Sequence, residues 1–177
     1  MEVAPTPPLD LAYLKECENA ISQEINQEFA ASYTFLGMAS HFNSVDVGLT
    51  NFAAYFLRMS ICALEYMQNL MKVQIERGGQ IQLDTLTPVE QDWSNAVHAL
   101  EYASLLKEDS LVDLMCLYIS AREQGDTMLY DFLENYLLHH LIKDITVLRD
   151  HLVKLHSLHG EPVCLAEYDL EDLGDND

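Results

Sequence analysis

The sequence is poor in residues that interrupt helices. Seven glycines and five prolines in 177 residues leave few breakers, and the prolines fall near the ends or in one loop. An all-α domain is the natural expectation, and the length suits one domain with a sizeable core. Basic residues are scarce too: nine Lys and Arg stand against 29 Asp and Glu, a formal charge of −20. That imbalance argues against nucleic acid and anionic membranes as partners, and it permits cations, metal ions included. No stretch is long and apolar enough to span a bilayer, and MEVAPTPPLD has neither the basic nor the apolar region of a signal peptide. A cytoplasmic protein without a membrane partner is therefore expected. Cys17, Cys62, Cys116 and Cys164 lie far apart with no Cys-x-x-Cys, which reads as free, buried thiols in a cytosolic chain.

What is present is helical periodicity. From Asn51 to Arg77, Phe52, Phe56, Met59, Ala63, Tyr66, Leu70 and Val73 recur at spacings of four and three, one apolar stripe along a helix that Gly78-Gly79 stops. Before it, residues 1–9 read as a flexible arm, and Asp10 opens a helix to about Phe42 through Leu14, Cys17, Ile21, Ile25, Ser32, Phe35 and Ala39. Asn43-Ser44 make a short turn, so the second helix, capped near Asp46, returns antiparallel. The connection QIQLDTLTPVEQD is long enough to travel the bundle and start a third helix parallel to the second.

Thr87-Pro88-Val89-Glu90 is a capping box, which starts that helix between Pro88 and Ser94. Its stripe is Ala96, Leu100, Ala103, Ser110, Leu114, Leu117 and Ala121. After Gly125, Asp126 caps a fourth helix to about His159, with Leu137, Leu141, Ile145, Leu148, Leu152 and Leu155 on its face. Residues 10–160 thus form a four-helix bundle with a long crossover between helices two and three, the topology of ferritin-like folds. Residues 161–177 form an acidic tail with seven carboxylates and a short or absent fifth helix. Two charges, Glu28 and Lys107, fall on core stripes where apolar residues are expected.

The segments EINQEFAASYTFL, NFAAYFL, LMKVQIERGGQI, Asp92-Trp93, DFLENYLL and LAEY resemble the ferritin family in order and spacing over about residues 12–168. The resemblance implies a 24-mer shell that stores mineralised iron, as a homo-oligomer or by co-assembly with active subunits. It also implies where chemistry would lie. Glu28 matches the first-helix carboxylate of the family's di-iron ferroxidase site. Phe35 stands at the tyrosine position, Ala63 and Tyr66 at the helix-two glutamate and histidine, Lys107 at the helix-three glutamate, and Leu141 at the helix-four glutamine. No Glu-x-x-His occurs in the chain. Two adjacent cations need several anionic oxygens, so no intrinsic di-iron centre and no ferroxidase activity are expected.

The cavity-facing positions that nucleate mineral in light-chain subunits match Arg58, Ile61, Cys62, Glu65 and Gln68, leaving Glu65, with Glu28, as residual metal-binding carboxylates. By resemblance Asp131 and Glu134 line three-fold channels that concentrate iron; the bland reading is favourable placement of acids near a helix start. Tyr118 and Tyr130 replace a histidine and a cysteine of that channel. His139-His140, and His156 with His159, read as exposed histidines. Resemblance also sets Glu28 opposite Lys107, and an internal salt bridge between them is expected in place of metal. The function expected is a structural or helper subunit of intracellular iron storage, with iron passing through the cage. The alternative is a pseudo-ferritin that serves protein interaction and handles no iron.

Overall fold

The computed structural model describes residues 9–87, 92–158 and 162–170, the last stretch without the side chains of 162–164. The first helix, α1, spans Leu11–Phe42. Asp10 opens it, its carboxylate accepting from the Ala12 N–H at 2.6 Å, which satisfies one of the donors that every helix start leaves unpaired. The second helix, α2, spans Thr50–Glu76 and returns antiparallel. At one end Phe42 of α1 packs on Phe52 and Phe56, with ring centroids 5.9 and 5.5 Å away. At the other, Gln74 donates to the Glu18 carbonyl at 2.9 Å. Midway, the Ser32 and Ser60 hydroxyls each donate to the other's backbone carbonyl at 2.9 Å, an approach that small side chains permit.

Asp46 does not cap α2. The N–H groups of Val47 and Gly48 both donate to the Ser44 carbonyl, closing a turn that leaves Asp46 upstream of the helix; Leu49 takes the cap position with no side-chain bond. At the far end Gly78 adopts φ 76°, a left-handed conformation that glycine reaches at little steric cost.

The crossover then runs along α1. Glu18 accepts from the Gln80 N–H at 3.0 Å, and further along Asn26 donates to the Gln82 carbonyl at 2.9 Å and accepts from the Asp84 N–H at 2.8 Å. The chain is thereby carried back to the N-terminal end of α2 before α3 (Ala96–Glu123) begins. That helix starts later than expected, because Asn95 accepts from the Val97 and His98 N–H groups. The Thr87–Glu90 capping box lies, from Pro88 on, outside the described residues.

Asp126 caps α4 (Thr127–Phe132) through the Leu129 N–H. Its carboxylate also takes the Tyr13 hydroxyl at 2.9 Å and an Arg77 nitrogen at 2.7 Å, tying the start of α4 to the ends of α1 and α2. Burial pushes this carboxyl up, yet those two hydrogen bonds outweigh it and hold Asp126 below the usual range. The backbone then continues through a π-helical segment, π1 (Leu133–Leu138), into α5 (His139–Ser157) without leaving helical dihedrals. Leu133, Leu137, Leu138 and Leu141 are all buried along this stretch, where the π turn widens the helix. Residues 159–161, His159 among them, lie outside the described residues.

The helix faces anticipated from spacing are mostly buried, with His151 joining the α5 face and Leu152 half-buried at its edge. The apolar core falls into two clusters. One gathers Phe42, Phe52, Phe56, Leu100 and Leu155 at the end where α3 starts. The other gathers Cys17, Leu70, Leu117, Leu129 and Leu141 at the opposite end. Hence α3 lies parallel to α2, and the fourth rod lies antiparallel to α3.

A short fifth helix, α6 (Pro162–Glu167), follows. It folds back onto the bundle: Asn51 donates to the carbonyls of Leu165 and Tyr168 at 2.8 and 2.7 Å, and Leu170 is fully buried. Residues 1–8 of the expected arm and 171–177 of the acidic tail are outside the described residues. Of the thiols, Cys17 is buried, but Cys62 is half-buried and Cys116 exposed, contrary to the expectation that all are buried; neither position falls on the apolar stripe of its helix.

Candidate functional site

Between the two apolar clusters lies a polar layer contributed by three helices. From α1 come Glu24 and Glu28, from α3 Lys107 and Ser110, and from α5 Asp144; all but Asp144 are buried. The direct Glu28–Lys107 pair expected from the sequence is not what forms. The Lys107 ammonium reaches across to α5, where its Nζ lies 2.8 Å from Asp144 Oδ2. Asp144 is about one-third exposed, so holding it ionised costs less than holding Glu28 ionised, and the long lysine stem lets the ammonium turn toward that wetter partner.

Glu28 turns instead to Ser110, whose hydroxyl lies 3.1 Å from Glu28 Oε1 and also bonds Glu24 Oε1. One hydroxyl has one proton to give, so two anionic carboxylates cannot both be served by it. A proton held on one carboxyl resolves the conflict. Burial, followed by the negative charge of Glu28, pushes Glu24 up to about 8, which favours a proton on this pair at neutral pH. Burial also raises Glu28, while the nearby Lys107 charge and the Ser110 bond pull the other way. Glu24 Oε2 is buried without a hydrogen-bond partner.

The other positions at which resemblance places iron ligands offer little to a cation. Phe35, Ala63 and Leu141 are buried and carry no lone pair. Tyr66 is half-buried, its hydroxyl 3.5 Å from Asp144 and its ring 5.7 Å from the Lys107 ammonium. Burial, with the Asp144 charge next, raises its phenol far above the ordinary range, so it supplies no phenolate. Among the described residues no group of three or more His, Cys, Asp or Glu side chains converges for a metal ion. A donor set with one family carboxylate, and a lysine ammonium where a second is required, does not fit a pair of iron ions.

Above the Lys107–Asp144 pair a pocket of about 320 Å³ opens between α2 and α5. Arg58, Cys62 and Glu65 line it, while Ile61 and Gln68 are exposed elsewhere on α2. Asp131 and Glu134 are both exposed at the start of the fourth rod; one subunit does not bring them together with further carboxylates. His139 and His140 are exposed, as is His156, whose Nε2 lies 3.1 Å from Glu101.

Sequence reasoning missed Asp144, Glu24 and the partner role of Ser110. A signal was present for each: Asp144 lies three residues past Leu141, Glu24 one turn before Glu28, and Ser110 three residues past Lys107 on the same stripe. A family model described as a ferritin-like domain matches residues 18–158.

Proposed function

The chain belongs to the ferritin family, and from that premise we propose that it is a cage subunit of intracellular iron storage without a ferroxidase centre of its own. The observation that carries the reading is the Lys107–Asp144 ion pair in the middle of the bundle. A fixed ammonium stands where resemblance places a liganding carboxylate, and it would repel Fe(II). Iron is cargo in this reading, and the chain's contribution is wall and passage. Asp131 and Glu134 offer exposed carboxylates that a symmetric channel would gather into rings. Glu65 remains as a lone acidic foothold beside Arg58. No helix among the described residues is long and apolar enough to cross a membrane, which agrees with a cytoplasmic role.

Iron loading separates a helper subunit from a pseudo-ferritin. Cages of this chain alone, and cages mixed with a ferroxidase-active subunit, are given equal Fe(II) and assayed for mineral. The helper role predicts mineral in mixed cages only, with this chain present in the loaded fraction. Failure to co-assemble, or mixed cages that exclude iron, would replace it with a structural role.

A further inference from the structure

A cleft of about 260 Å³ lies between α1 and α3. Three carboxylates, Glu16, Glu24 and Asp113, line it, and no Lys, Arg or His among the described residues does. Acidic walls are ordinary in a chain with 29 Asp and Glu. What sets this cleft apart is Glu24, which is 2% exposed. Its Oε1 takes the Ser110 hydroxyl, while Oε2, the oxygen left to face the cleft, is buried with no hydrogen-bond partner. A buried carboxyl oxygen in that state is destabilising unless a donor or a cation meets it.

Asp113 is placed to share that ligand. It lies three residues past Ser110 on α3, about one helical turn from the Glu24 contact. Its charge adds to burial and to the charge of Glu28 in pushing Glu24 up. Gln27 of α1 donates to Asp113 Oδ2 at 3.0 Å, which draws that carboxylate toward α1. Asp113 is exposed, so the cleft offers a wet carboxylate at its mouth and a buried one behind it. Among the described residues no three acidic, thiol or imidazole groups converge, so the cleft does not suit a metal stripped of its water. It suits one that keeps most of its shell, as Mg(II) does when one or two carboxylates bind it. At about 30 Å³ per water, the cleft has room for such an ion and several waters.

We propose that the α1–α3 cleft binds a hydrated, oxygen-preferring divalent cation of the Mg(II) or Mn(II) class, held by Glu24 Oε2 and the Asp113 carboxylate with water at its remaining positions. The ion gives the orphan oxygen a partner. Its charge offsets those of Glu24, Glu28 and Asp113, the acids that meet here from α1 and α3. The ammonium of the same layer, Lys107, is turned away to Asp144 on α5 and does not fill that role. Because a liganding carboxyl must be ionised, binding displaces the proton that burial favours on the Glu24–Glu28 pair, and affinity grows with pH. The site is independent of iron storage and of the Proposed function above.

Titration of the full chain with Mn(II), with free ion read by electron paramagnetic resonance, tests it. Every protein compared carries Asp131→Asn and Glu134→Gln, which takes that exposed pair out of the count. The expected result is a site that excess Mg(II) empties and that Glu24→Gln and Asp113→Asn each abolish or weaken at least tenfold. As pH climbs toward the folded Glu24 value of about 8, the dissociation constant should fall roughly five- to tenfold per pH unit, one proton leaving for each ion bound. Mn(II) should also raise the melting temperature at about pH 8 in the parent and not in Glu24→Gln. Equal Mn(II) binding by the parent and Glu24→Gln would overturn the proposal, since exposed acids alone would then account for it. So would an affinity that stays constant with pH, or a site lost in Asp113→Asn only.

Discussion

Glu24 is one residue whose protonation makes the bundle's stability depend on pH. Its folded value of about 8 lies above the ordinary 4.5. Its contribution to stability is therefore fully present below about pH 4.5 and is lost progressively as pH climbs toward 8. Replacing Glu24 by Gln keeps the hydrogen-bond partner of Ser110 and removes the ionisation. We expect Glu24→Gln to match the parent near pH 4.5 and to exceed it at neutral pH by on the order of 3 kcal/mol, at about 1.4 kcal/mol per pH unit. Thermal melting of both proteins from pH 4.5 to 8 checks this, and a gap that stays constant would refute it.

The Lys107–Asp144 pair gives a second outcome at this scale. Asp144→Asn leaves a buried ammonium without its counter-charge and should cost about 1–3 kcal/mol, less than a fully buried pair because Asp144 is partly solvated. Lys107→Met combined with Asp144→Asn should recover most of that loss. Equal losses in the single and double variants would show that the pair is not coupled. Glu28 and Lys107 were visible in the sequence because a charge on an apolar stripe has no ordinary explanation. Their partners were not, since spacing fixes a face of a helix and leaves open which residue at its edge turns inward. Asp144 lies at such an edge, and a long lysine chooses among partners by solvation as well as distance.

At the scale of elements, boundaries were legible where a side chain makes the cap. Asp10 and Asp126 accept the N–H bonds expected of them. The start of α2 was not legible, because a turn built from backbone bonds on Ser44 displaces Asp46 and leaves no capping side chain to find. The π turn was hidden for another reason: it keeps the helical run of apolar residues and adds Leu138 to the buried face beside the expected Leu137.

Asp126 also carries a prediction. One carboxylate serves the α4 cap, the Arg77 guanidinium and the Tyr13 hydroxyl. Asp126→Ala should thus lose about 2–4 kcal/mol, combining a lost cap with a buried, unpaired arginine. Denaturant unfolding measures it, and a loss below that of an ordinary cap, about 1 kcal/mol, would mean that Arg77 finds another partner.

For the whole molecule, four rods with one long crossover and a short fifth helix follow from helix spacing, loop length and the scarcity of breakers. Assembly and cargo do not follow from those. They come with family membership, and this chain keeps the family's scaffold while its mid-bundle layer holds an ammonium, a protonated acid and apolar side chains. A layer built this way is expected to do no iron chemistry. Stopped-flow mixing of Fe(II) and oxygen with cages of this chain alone is the decisive measurement. Oxidation at the rate of the buffer is expected; saturable oxidation that plateaus at a pair of irons per subunit would show that the layer binds and oxidises iron after all.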